Sequence, residues 1–201
     1  MRMSQPLAPR NCRGRTLPSP HARQGRCRYT GDVRPVFAVI PEPSGPLGLL
    51  PEGCHRTTLE EIESVFVQSA PFPAERAMLW ATFRTYLEEV WRLMPSTRLW
   101  INGGFVTHKT WAAPRDVDVC LVVKVSEFDA VPDAALDSLL TAVLPDGQRI
   151  QPMAGAVDAF AAQRGNPDEQ RVYRSEWSRV RGPDRLEVPG AIKGYLEVLA
   201  P

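Results

Sequence analysis

Residues 99–123, LWINGGFVTHKTWAAPRDVDVCLVV, limit the fold more than any other stretch of the chain. Residues 99–101 form a short apolar strand that runs into a turn at Asn102-Gly103-Gly104. Eleven residues separate that turn from Asp116-Val117-Asp118, where a second strand begins. That second strand, 117–123, is apolar on both faces around Val119, Cys120, Leu121, Val122 and Val123. A strand of this kind belongs in the middle of a sheet with cover on each side.

The surrounding sequence supplies that cover. Thr58 followed by Glu61 is a capping box, which predicts a short helix to about residue 67 with Ile62, Val65 and Phe66 inward. Residues 73–94 place Leu79, Phe83, Tyr86, Leu87, Val90, Trp91 and Met94 at spacings of three and four, the pattern of an amphipathic helix. Pro73 suits its first turn and Pro95 stops it. Its other face, with Arg76, Arg84, Glu88, Glu89 and Arg92, is expected to face solvent. A second helix is predicted over 132–144, strands over 148–153 and 156–161, a helix over 169–180 and a closing strand over 193–199. Residues 37–56 are dense in proline and are expected to form an irregular lead-in that packs through Leu47, Leu49 and Leu50. The predicted class is α/β (or α+β), a mixed β-sheet flanked by helices.

The chain divides by charge. Residues 1–36 hold eight arginines and one acid, about +7, while residues 37–201 sum to about −6. The first segment has too few large apolar residues to offset chain entropy and is predicted to be a disordered Arg/Pro-rich extension. A basic arm for nucleic acid and a solvated tail both fit it. Residues 37–201 form the predicted domain, whose mild acidity argues against a broad electrostatic grip on nucleic acid. No apolar run approaches the roughly 18 residues of a membrane span, and no signal-peptide pattern opens the chain. The expectation is a cytoplasmic protein without a membrane partner. Cys12, Cys27, Cys54 and Cys120 form no CxxC pair, and His21, His55 and His108 have no metal-ligand spacing. His108 is expected at the surface.

The chemistry concentrates in the opening stretch. On an extended backbone Asp116 and Asp118 share a face. Two carboxylates there repel each other unless a cation lies between them, and Mg²⁺ commonly takes one or two carboxylates plus phosphate oxygens. Gly103 and Gly104 let backbone N–H groups approach a phosphate closely. Lys109 and Arg115, between the two motifs, can neutralise phosphate charge, and Thr107 is placed in the same pocket. A pair of acids or a Gly-Gly turn is common alone; the combination on a strand-turn-strand frame is specific.

This combination resembles the nucleotidyltransferases of the DNA polymerase β superfamily, in which a strand ending in Gly-Gly or Gly-Ser precedes an acid, an apolar residue and a second acid. The phrase NGGFVTHK…PRDVDV is similar to one group of small proteins of that superfamily, with Gly104 where that group usually has Ser. The LPEGCHRTTLEEIESVF segment and Lys193-Gly194 also resemble it, so the likeness covers roughly residues 47–199. The resemblance implies a nucleotidyltransferase-like sheet, two Mg²⁺ ions, and transfer of a nucleoside monophosphate from an NTP to an acceptor hydroxyl on a protein, RNA or small molecule. It implies Asp116 and Asp118 as metal and catalytic carboxylates, Gly103 and Gly104 as the phosphate turn, and a third acid on a later strand, for which Asp158 is the candidate. The alternative it leaves is a catalytically silent nucleotide- or partner-binding module of a toxin–antitoxin or phage-defence pair, with a small helical protein as partner.

Overall fold

In the computed structural model, residues 40–201 are described. The expectation for residues 1–36 lies outside them. The elements in chain order are β1 (Cys54–Arg56), α1 (Leu59–Glu63, continued by a π-helical turn Ser64–Gln68), α2 (Pro73–Leu93), β2 (Arg98–Asn102), β3 (Val117–Val123), α3 (Val125–Phe128), α4 (Asp133–Leu139), β4 (Ala142–Val143), β5 (Arg149–Ile150), β6 (Val157–Gln163), α5 (Pro167–Trp177), β7 (Arg179–Arg181), β8 (Glu187–Ile192) and β9 (Tyr195–Val198). Five strands form one mixed sheet in the order β1-β9-β2-β3-β6. β9 and β3 run antiparallel to β2, while β1 is parallel to β9 and β6 parallel to β3. β3 is central and buried almost throughout, as its double-faced apolar sequence requires. Among the described residues no helix is long and apolar enough to cross a membrane.

The two sheet faces divide the core. Leu99, Ile101, Val117, Val119, Leu121, Val157 and Ala159 face α2, which contributes Trp80, Phe83, Tyr86, Leu87 and Val90. Phe105, just beyond the glycine turn, stacks on Trp80 with ring centroids 5.9 Å apart. The opposite face carries Trp100, Cys120, Val122, Ala162 and Tyr195, covered by Tyr173 and Trp177 of α5. α5 covers only part of this face; the end of the sheet bearing the aspartates is left open to a cleft.

The capping box at Thr58 forms as expected. Arg76 does not lie on a solvated face. It is fully buried, and its guanidinium donates to the carbonyl oxygens of Pro71 (2.7 Å), Phe66 (2.8 Å), Phe105 (2.7 Å) and Thr107 (2.6 Å). Helix periodicity places Arg76 outside the apolar stripe, but the segment after the glycine turn folds over that flank and brings carbonyls that need a donor. His108 is half-buried rather than exposed, its Nε2 2.9 Å from the Val65 carbonyl oxygen. Leu50 is fully buried, in keeping with a packed lead-in.

The later helix stops at Leu139 instead of residue 144. Thr141 explains this: its backbone N–H donates to Ala159 O, its hydroxyl donates to Asp158, and that hydroxyl accepts from Ala159 N–H. The chain there serves the start of β6, so β4 forms a small hairpin with β5 in place of the helix end, and of the strand predicted over 148–153 only Arg149–Ile150 forms. The next helix ends at Trp177 because residues 179–181 pair with β8. The closing strand is shorter than predicted and begins at Tyr195.

Candidate active site

The register of the central strands builds the site. Asn102 of β2 lies opposite Asp118 of β3, and Asp118 lies beside Asp158 of β6. Directly paired residues share a face, so three oxygen-bearing side chains form a row across the sheet. The adjoining row is Trp100, Cys120 and Phe160, which carries the apolar packing under α5 up to the edge of the polar site.

Gly103 follows Asn102 with φ +73°, and a Cβ there would lie 1.6 Å from Asp118 Oδ2. The glycine turn and the second aspartate are therefore in direct contact, and the contact admits no side chain. The Gly103 carbonyl accepts a 2.6 Å hydrogen bond from Lys193 Nζ. Lys193 is buried and lies beside Asp118. Burial pushes the Asp118 carboxyl above its ordinary range, helped by the negative charge of Asp116; burial pushes the Lys193 ammonium down, against the pull of Asp118. Each group supplies the charge the other needs.

Asp116 precedes β3, and its Oδ2 accepts a 3.2 Å hydrogen bond from Gln151 Nε2. Lys109 is half-buried, its ammonium 3.0 Å from where a Cβ on Gly104 would sit. Burial lowers its pKa. Thr107 donates its hydroxyl to the Gly104 carbonyl oxygen at 2.8 Å and so closes the turn on itself. Arg115 is exposed at the mouth. Asp158 is 3% exposed; its Oδ1 accepts from Thr141 Oγ1 (2.8 Å) and Arg149 Nη2 (2.5 Å). All eight residues expected from the sequence (Gly103, Gly104, Thr107, Lys109, Arg115, Asp116, Asp118 and Asp158) line one cleft of about 750 Å³.

Sequence reasoning missed four contributors. Lys193 is 90 residues from the glycine it holds, and the sequence marks it only through the Lys193-Gly194 likeness, with no role attached. Asn102 is almost fully buried; its Nδ2 donates to the Trp177 carbonyl oxygen at 2.8 Å while its Oδ1 has no hydrogen-bond partner. Arg149 reaches Asp158 from the β4–β5 hairpin, which the sequence does not announce. The β7–β8 hairpin forms one wall with Arg179, Arg181 and Arg185.

Asp116 and Asp118 suit a hard cation that takes one or two carboxylates and completes its shell with water and phosphate oxygens. The upward shift of Asp118 comes first from burial and second from Asp116, and a cation beside the pair would relieve the second. Among the described residues no three His, Cys, Asp or Glu side chains converge as a metal cage.

A family model described as a family of unknown function (DUF6932) matches residues 43–199, and the chain belongs to that family. No curated protein and no solved structure matches the chain.

Proposed function

We propose that the protein is a Mg²⁺-dependent nucleotidyltransferase that moves a nucleoside monophosphate from an NTP to an acceptor hydroxyl. The observation that carries this reading is the contact between Gly103 and Asp118, which joins a glycine turn to an acid pair. Asp116 and Asp118 would hold Mg²⁺, which when bound supplies positive charge to the phosphate oxygens. Lys109 and Arg115 flank the path of the triphosphate. Lys193 holds the Gly103 carbonyl and so orients the turn that would receive the phosphate.

In the transfer step the acceptor hydroxyl oxygen forms a bond to the α-phosphorus. The bond from that phosphorus to the oxygen bridging it to the β-phosphate breaks, and pyrophosphate leaves with the electron pair. The hydroxyl proton passes to a carboxylate of the row, for which Asp158 is placed beside Asp118. Asp158 is bound by Arg149, so it serves as base only once that guanidinium turns to substrate phosphate. The same ion pair favours a second reading, a silent nucleotide- or partner-binding module in which Asp158 stays locked.

The test is incubation with each α-³²P-labelled NTP, Mg²⁺ and cell extract. Label transfer by the intact protein, lost in both Asp116→Ala and Asp118→Ala, supports transfer. Transfer that survives both substitutions overturns it, and NTP binding without turnover favours the silent module.

A further inference from the structure

The cleft has a second half that the nucleotide chemistry does not use. Its outer wall is the β7–β8 hairpin, which presents Arg179, Arg181 and Arg185 to the cavity. Residues 37–201 carry a net charge of about −6; Glu176 and Glu187 line this wall too and pair with Arg179, which leaves Arg181 and Arg185 as its positive charge against an acidic body. Arg179 and Arg181 flank buried Val180 on β7 and are both exposed, at a register irregularity in the pairing with β8. Arg185 sits at the hairpin tip with φ +65°, a conformation that L-residues with a Cβ adopt at a cost. The turn is fixed by Gly182 N–H to Leu186 O and Arg185 N–H to Gly182 O. Glu176 (3.2 Å) and Glu187 (3.8 Å) hold Arg179 in place.

The hairpin is tied to the site. Asn102 bonds the Trp177 carbonyl at the end of α5, and the Lys193 backbone N–H donates to Ser178 O at 3.0 Å. Between the hairpin and the aspartates the cleft is lined by rings. Phe160 and Trp177 have centroids 6.2 Å apart, and the Arg149 guanidinium lies 5.4 Å over the Phe160 ring. Trp111, 37% exposed, lines the same cleft. Aromatic faces beside a basic track are the means by which proteins hold single strands without reading sequence.

We propose that this wall is the acceptor subsite and that the acceptor is a single-stranded polynucleotide, bound along Arg181 and Arg185 with its terminal hydroxyl directed to Asp158. This rests on the transfer reading for the role of acceptor; binding of the strand is tested separately from it.

The experiment uses the full chain, a fluorescein-labelled twelve-nucleotide RNA and its DNA counterpart, and anisotropy across a salt series. The Arg181→Ala/Arg185→Ala double variant is expected to weaken oligonucleotide binding about tenfold and to flatten the log–log salt slope by about 1.4, two single-strand phosphate contacts. Calorimetry with Mg²⁺ and NTP is expected to be unchanged in that variant. Cross-linking with a 4-thiouridine RNA is expected to mark Trp111, Phe160 or Trp177. Oligonucleotide binding unchanged in the double variant overturns the proposal, as do cross-links confined to residues 1–39. Equal loss of NTP and oligonucleotide binding also overturns it, because the hairpin then belongs to the nucleotide site. NTP binding with no binding of either oligonucleotide overturns this inference and leaves nucleotidyl transfer standing. Oligonucleotide held at the hairpin with no NTP binding supports the strand site and overturns the transfer reading.

Discussion

Gly103→Ala is the substitution that probes the site's geometry most sharply. Two penalties combine at this position. The backbone has φ +73°, where an L-residue with a Cβ is worse than glycine by about 1–2 kcal/mol. The new Cβ would also lie 1.6 Å from Asp118 Oδ2 and 2.4 Å from its Cγ, so the carboxylate must move, and forcing atoms into packed space costs about 1–3 kcal/mol. Gly165 separates the two effects, since it has φ +88° with nothing within 4 Å of an added Cβ. Gly165→Ala is therefore expected to lose about 1–2 kcal/mol from the backbone alone. Gly103→Ala is expected to lose about 2–5 kcal/mol, the sum of the backbone and displacement terms. The excess corresponds to a further fall in Tm of about 2–12 °C for a domain of this size. Urea unfolding and thermal scans of both variants measure it, and Mg²⁺-dependent NTP binding should disappear in Gly103→Ala alone. Equal destabilisation by the two substitutions, with NTP binding intact, would refute the claim that Asp118 packs against the turn.

Three other substitutions or conditions have definite outcomes. Arg76→Met strands three buried carbonyl oxygens and a half-buried one, each buried one worth about 1–3 kcal/mol when unsatisfied, so urea unfolding should show a loss of at least about 3 kcal/mol; Arg76→Lys recovers only part, because an ammonium lacks the planar fork. Thr58→Ala removes a capping box and should lower stability by about 1 kcal/mol without altering NTP binding. The Asp118 carboxyl is pushed up to about 7, so its contribution to apo stability is complete in acid and fades as pH rises through 7. Mg²⁺ needs the ionised form, so thermal protection by Mg²⁺ should be larger at pH 8 than at pH 6, with affinity falling about tenfold per unit below 7; protection that is flat across that range would contradict the assignment.

The parts of the fold legible in the sequence are those set by local pattern. The apolar run of β3, the stripe of α2 and the Thr58–Glu61 cap each report their own environment. The partners of a side chain are not local. Arg76 reads as a helix-surface charge until the segment of Phe105 and Thr107 lies across it. Thr141 sits in a plausible helical pattern, yet its hydroxyl and N–H are claimed by β6, and the helix ends early. The glycine turn and the acid pair are close in sequence and were readable together. Lys193 and Arg149 enter the site from other strands, and the arginine wall depends on a hairpin, β7–β8, whose second strand alternates too weakly to signal itself. Net charge hid that wall, because a sum over residues 37–201 carries no position.

The most direct test of the central claim is calorimetric titration of the full chain with each NTP at pH 8, with and without Mg²⁺, alongside Asp116→Asn and Asp118→Asn. One-to-one NTP binding that requires Mg²⁺ is expected, and it should be lost in both variants while their folded signal persists. Absence of binding for all four NTPs, or binding that neither the cation nor the aspartates affect, would contradict it.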